Sequence, residues 1–235
     1  MSKKAQYGQY CPLAMSAEFL CNRWTLLVIR ELLFGSTGFN EISRGVPRMS
    51  RTLLSTRLKE LTDRGVVTRR EKRVGGQVHY SLTSAGLALG PVVFSMAEWG
   101  QEWLEVEPAV QNVDVGFLMW DIHRNAVSMP ELPSPFIVEF YLNNVPENKR
   151  THWLVFEDDV VDLCHIDHGF SVHVQIEASI EDLTKAWMGW IDMSDAINTN
   201  KIIFKGPAKY TDIAITWLGS SSVAHIAKRV VAERI

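Results

Sequence analysis

The sequence predicts an α+β chain of two domains, the first made of helices and a hairpin, the second of strands and helices. Three observations carry that expectation. Apolar residues recur at helical spacing as far as Gly65, and two short β-type runs then flank a glycine pair. Beyond a linker at 108–114, strand-like runs dominate. Charge divides the same way: residues 1–90 hold 14 Lys and Arg against 6 Asp and Glu, whereas residues 91–235 hold 10 against 21. The net charge of −3 conceals this asymmetry, which suits a first part that meets a polyanion and a second that does not.

Composition narrows the class further. At 235 residues and 46% hydrophobic, the chain can fill two cores and is not the kind that stays disordered. No apolar run approaches the ~20 residues that span a bilayer, and the N-terminus has no apolar signal-peptide core. Three widely spaced cysteines do not form a disulfide framework. The expectation is a soluble, cytoplasmic protein with no membrane partner.

The first helix is expected over 12–20, with Leu13, Ala17 and Leu20 on one face. Asn22 reads as the cap of a second helix, Arg23 to Phe34, which stops at Gly35. A short third helix, Phe39 to Arg44, is broken by Gly45 and Pro47. Ser50 opens a fourth that runs to about Arg64 and ends at Gly65. Its inner stripe is Leu54, Leu58 and Leu61. Its outer face carries Thr52, Thr56 and Lys59, with Ser55 beside them. Strands are expected at 66–70 and 78–82, joined around Gly75-Gly76. A long helix, roughly Ser84 to Val106 and kinked at Pro91, carries Leu89, Val92, Val93, Met96, Trp99 and Trp103, a stripe larger than one small domain needs to bury.

A three-helix core followed by a hairpin wing and a long C-terminal dimerisation helix makes a winged helix-turn-helix, in which the second helix of the motif enters the DNA major groove. Here that helix is 50–64. Arg48, Ser50 and Arg51 gather at its N-terminus, where unpaired N–H groups favour phosphate. Thr52, Ser55, Thr56 and Lys59 are the candidates for base-edge contacts. Arg69, Arg70, Lys72 and Arg73 on the hairpin are the candidates for backbone contacts that position the protein. A basic hairpin taken alone also reads as a solvated one.

These residues carry a resemblance. Cys11-Pro12-Leu13-Ala14, Asn22-Arg23-Trp24-Thr25-Leu26-Leu27-Val28-Ile29-Arg30-Glu31-Leu32, Phe39-Asn40-Glu41-Ile42 and Ser50-Arg51-Thr52-Leu53-Leu54-Ser55-Thr56-Arg57-Leu58 resemble the HxlR family of bacterial regulators. His79-Tyr80-Ser81-Leu82-Thr83 and Ala97-Glu98-Trp99-Gly100 extend the match over about residues 10–105. The resemblance implies a homodimer on a two-fold operator, with the first and last helices of the domain at the interface. Some relatives use an N-terminal cysteine as a redox or electrophile sensor, and Cys11 stands at that position. A thiol before a helix N-terminus is suited to such reactivity, and a small residue at a dimer seam is the other reading.

The domains are drawn at 1–107 and 113–235. In the second, strands are expected at 136–142, 152–156, 160–166 and 171–176, a helix at 180–190, a strand at 201–205, and helices at 208–217 and 223–233. The pattern from Val172 to Phe204 and the helix from Ala208 resemble the sterol-carrier-protein fold, which implies an apolar tunnel. Candidate lining residues are Leu183, Trp187, Met188, Trp190, Phe204, Trp217 and Leu218, which also read as ordinary core. Cys164, His165, Asp167, His168, Asp162 and His173 hint at a metal cluster, but strand alternation sends them to opposite faces. No catalytic motif is present, so neither an enzyme, a metal nor a cofactor is expected. The leading expectation is a homodimeric regulator that binds double-stranded DNA and takes an apolar effector. The alternative is a lipid or small-molecule carrier whose basic first domain mediates protein contacts.

Overall fold

The structure is a computed structural model that describes residues 7–71, 76–105, 110–169 and 171–229. It divides into two compact units, one reaching Met96 and the other beginning at Ala97.

The first unit opens with α1 (Pro12–Leu20), which has Pro at its first position, where no hydrogen bond is lost. None of its residues is fully buried. Asn22 does not cap the next helix as expected. Its side-chain amide donates to the carbonyls of Glu18 and Phe19, 2.9 Å each, and so closes the C-terminus of α1 instead. The chain then turns through Trp24 in the left-handed region, φ 78°, and α2 (Thr25–Leu33) starts two residues later than the pattern suggested. In α2, Glu31 is fully buried and accepts from its neighbour Arg30, whose Nη2 also reaches the Gly45 carbonyl at 2.9 Å. A Cβ on Gly45 would lie 1.9 Å from the Glu31 carboxyl, so any side chain there would displace that buried carboxylate.

Gly45 ends α3 (Phe39–Gly45), and α4 (Arg51–Asp63) follows after a short turn. The Ser50 hydroxyl accepts from the Leu53 N–H at 3.3 Å, and Leu54, Leu58 and Leu61 are buried against Val28, Ile29 and Ile42. Strands β1 (Val67–Glu71) and β2 (Val78–Leu82) pair antiparallel from Val67↔Leu82 to Glu71↔Val78. The Gly38↔His79 bridge and the bond from the Tyr80 N–H to the Thr37 carbonyl, 2.8 Å, attach the hairpin to the loop before α3.

The long helix expected from Ser84 is two helices, α5 (Ser84–Leu87) and α6 (Gly90–Trp103). Pro91 lacks an N–H, so it begins a helix rather than sitting within one. Gly86 is required where α5 meets the hairpin, since a Cβ there would lie 2.3 Å from the Val66 carbonyl oxygen. Val93 alone of the α6 stripe is fully buried in this unit's core; Val92, Met96 and Trp99 stand exposed.

The second unit holds a five-stranded sheet ordered β5-β4-β3-β6-β7. The strands are β3 (Phe136–Leu142), β4 (Thr151–Glu157), β5 (Val160–Cys164), β6 (Val174–Ala178) and β7 (Ile202–Lys205). β3 and β6 are parallel and every other neighbouring pair is antiparallel. Alternation turns Phe136, Val138, Phe140 and Leu142 into one core. The helices of that core are α7 (Val115–Asn125), α8 (Ile180–Trp187), α9 (Met193–Asn198), α10 (Ala208–Thr211) and α11 (Ala214–Leu218). The sequence reading gave no helix at 115–125 or 193–198, although Asp114 and Asp192 cap them by accepting from Phe117 and Asp195. Residues 208–217, expected as one helix, are two. The helix expected at 223–233 is a turn over 222–225 followed by irregular chain to Arg229, and 230–235 lie outside the described residues.

That last segment returns to the end of α6. The Ser221 N–H donates to Trp187 and the Arg229 N–H to Glu102, 3.0 Å each, while the Arg229 guanidinium pairs with the Glu102 carboxylate. Gln101, 4% exposed, donates to the Met188 carbonyl and accepts from the Trp190 indole N–H, both at 2.8 Å. Gly189, at φ 70°, lets the 188–190 turn approach Ala224, whose carbonyl oxygen would lie 2.4 Å from a Cβ. No described helix is long and apolar enough to cross a membrane.

Candidate nucleic-acid interface

Helix α4 separates two chemistries by its own period. With 3.6 residues per turn, the buried leucines leave Thr52, Ser55, Thr56 and Lys59 on the opposite side, and all four are exposed. The Thr56 hydroxyl donates to the Thr52 carbonyl at 3.0 Å, which orients its oxygen and leaves its lone pairs outward. Lys59 is not idle: its ammonium meets Asp63 at 2.7 Å, and this hydrogen bond and charge raise its pKa. Any external anion must therefore compete with Asp63.

At the N-terminal end the three expected residues do different things. Ser50 spends its hydroxyl oxygen on the cap. Arg48 is exposed in the turn before α4. Arg51 is braced from α3, its Nη2 donating to Asn40 Oδ1 at 2.9 Å while the guanidinium lies 4.7 Å from the centre of the Phe39 ring. Phe39 and Asn40 thus fix the direction of Arg51, a role the sequence reading missed because nothing in local spacing brings the start of α3 against the start of α4. Glu41 reinforces the same corner. Its carboxylate accepts from the Gly38 and Thr37 N–H groups at 2.9 and 2.8 Å, and these bonds hold its pKa below the ordinary value.

On the hairpin, Arg69 and Arg70 are exposed on β1, and Arg69 Nη1 lies 3.8 Å from Glu71. Lys72 and Arg73 lie outside the described residues.

Cys11 occupies the cap position of α1, exposed. The backbone N–H groups of Ala14 and Leu13 lower its pKa, as expected where a thiolate faces a helix N-terminus. Cys21 is exposed as well, and Cys164 is half-buried, its pKa raised by burial and by Asp162.

Of the expected apolar set in the second unit, Leu183, Trp187, Trp217 and Leu218 are buried in the core, and Met188 and Phe204 pack against it. Trp187 donates to Asp121 at 2.8 Å and Trp217 to the Tyr210 carbonyl at 2.9 Å. Trp190 is set apart, bonded to Gln101. Among the described residues no three His, Cys, Asp or Glu side chains are grouped to hold a metal.

Comparison with known proteins bears on the first unit. Residues 19–108 match the model of the HxlR-like helix-turn-helix family. An uncharacterized HTH-type transcriptional regulator, YvaP of Bacillus subtilis (strain 168), is 37% identical over 100 residues, which is 42% of this chain and 93% of YvaP. The HTH-type transcriptional regulator YodB of the same organism is 36% identical over 97 residues, 40% of this chain and 87% of YodB. The solved reduced form of YodB covers 40% of this chain and 93% of its own, with 36% identity and a TM-score of 0.35. From the identity and its coverage of the relatives, the chain belongs to the HxlR-like helix-turn-helix family of transcription regulators.

Proposed function

We propose that the protein is a homodimeric transcription regulator that binds double-stranded DNA in a sequence-specific way, with α4 in the major groove and the β1–β2 hairpin on the backbone. The observation that carries this reading is the exposed outer face of α4. It offers only small hydrogen-bonding groups and one amine, with no large apolar side chain. Such a face matches base edges, whose donors and acceptors line a groove wide enough for a helix. Thr52, Ser55, Thr56 and Lys59 read bases; Arg48, Arg51, Arg69 and Arg70, with Lys72 and Arg73, hold phosphates. The exposed apolar side of α6 and the unburied α1 are the surfaces for the second copy. In the second unit the core around Trp187 and Trp217 is the place for an apolar effector, a reading supported only by the sterol-carrier resemblance. Cys11, with its lowered pKa, is the thiol through which oxidants act, a reading supported by a relative solved in a reduced form.

The test is duplex binding as a function of salt, with DNA from upstream of the protein's own gene. Each phosphate neutralised should contribute about −0.9 to the log–log slope. Binding that is insensitive to salt, or equal on unrelated DNA, would overturn the reading. Cys11→Ser should abolish any response of that binding to a thiol oxidant; an unchanged response excludes Cys11.

A further inference from the structure

A hollow of about 260 Å³ lies in the first unit between α1, the end of α4 and the start of α5. Its walls are Met15, Phe19 and Leu20 from α1, Val66 before the hairpin and Leu89 beyond α5. One cation opens into it. Arg64, the residue that ends α4, lies 4.5 Å from the centre of the Phe19 ring. Its neighbours on the same helix are neutralised, Arg57 by Glu60 and Lys59 by Asp63. Among the described residues no carboxylate pairs with Arg64. An exposed guanidinium stacked on a ring presents its N–H edge outward, in the fork geometry that carboxylates fit.

Size sets the rest. The hollow falls just below the ~300 Å³ at which drug-sized sites begin, so it suits one ring rather than two. We propose that it binds a small single-ring monocarboxylate, the ring against Phe19, Leu20 and Leu89 and the carboxylate on Arg64. Leu13 and Ala17 do not line the hollow, whereas Leu20, on the same face of α1, does. An occupant touches the end of α4, the root of the hairpin and α1 together.

The experiment is titration calorimetry of the full chain with benzoate and with benzamide, its neutral counterpart, at equal ionic strength. Expected are saturable binding of one benzoate per chain, benzamide weaker by about tenfold or more, and a similar loss for benzoate in Arg64→Gln. Arg64 is exposed, so that variant should fold; circular dichroism checks it. Ala85→Trp, at the rim, should block benzoate and leave the oligomeric state unchanged. No saturable heat, equal affinity for benzamide, or unaltered binding by Arg64→Gln overturns the proposal. So does dissociation of oligomers by Ala85→Trp without any benzoate site, which would assign the hollow to a second copy. Duplex binding measured on the same samples separates the readings. Normal DNA binding without benzoate binding defeats this inference alone.

Discussion

Helices α4 and α6 both anchor to a core, and their outer faces could hardly differ more. α4 shows water Thr52, Ser55, Thr56 and Lys59, whereas α6 shows it Val92, Met96 and Trp99. α4 anchors through three buried leucines, whereas α6 buries only Val93 of its apolar stripe. The outer faces are where the partners are specified. A polar face that keeps its hydrogen-bonding capacity exposed is matched by another hydrogen-bonding surface. Exposed large apolar groups in a row are matched by a second apolar surface.

The comparison can be broken first at its shared foundation. Leu58→Ala, on the fully buried side of α4, should cost ~2–5 kcal/mol of stability in denaturant unfolding; a loss under 1 would mean the inner stripe does not hold the helix. On α6, Met96→Glu should weaken self-association by on the order of 100-fold, since a buried unpaired carboxylate costs several kcal/mol. Sedimentation at a series of concentrations reads this, and an unshifted dimer would remove α6 from the interface. Thr56→Ala should cost ~1–3 kcal/mol on the cognate duplex and little on random DNA, whereas Arg70→Ala should weaken both alike and flatten the salt slope by about 0.9. If fluorescence anisotropy shows the two variants behaving identically, the division between reading and positioning is wrong.

The smallest effect is at the corner that aims α4. Glu41→Gln should lower stability by about 1 kcal/mol near neutral pH, the usual worth of a capping interaction. The pKa of Glu41 is depressed in the folded state, so its contribution is present above the ordinary value of 4.5 and lost as pH falls through the lower folded value. The difference between wild type and variant should therefore shrink on acidification, and a constant difference would contradict that role.

Much of this was legible in sequence, for reasons that differ by element. α4 could be read because its cap, leucine spacing and terminal glycine agree with one another. The hairpin could be read because strands flank a glycine pair. The α1–α2 junction could not: Asn22 has both a cap oxygen and an amide donor, and the fold uses the donor on Glu18 and Phe19. Helix 115–125 was missed although Val115, Leu118, Met119 and Ile122 are all buried, because a Pro- and Asp-bearing stretch before it read as linker. The bracing of Arg51 by Asn40 and Phe39 is a tertiary contact with no local signature.

The return of the chain to the end of α6 bears on how the protein should be dissected. Gln101 finds its partners at 188 and 190, and Glu102 finds its own at 229. A fragment stopping at residue 105 would keep every residue of α4 and of the hairpin, yet strip the last turns of α6 of bonds supplied more than eighty positions later. Such a fragment should fray from its C-terminus and lose the Arg229 guanidinium that covers the Trp103 ring, a defect easily mistaken for a failure of DNA recognition.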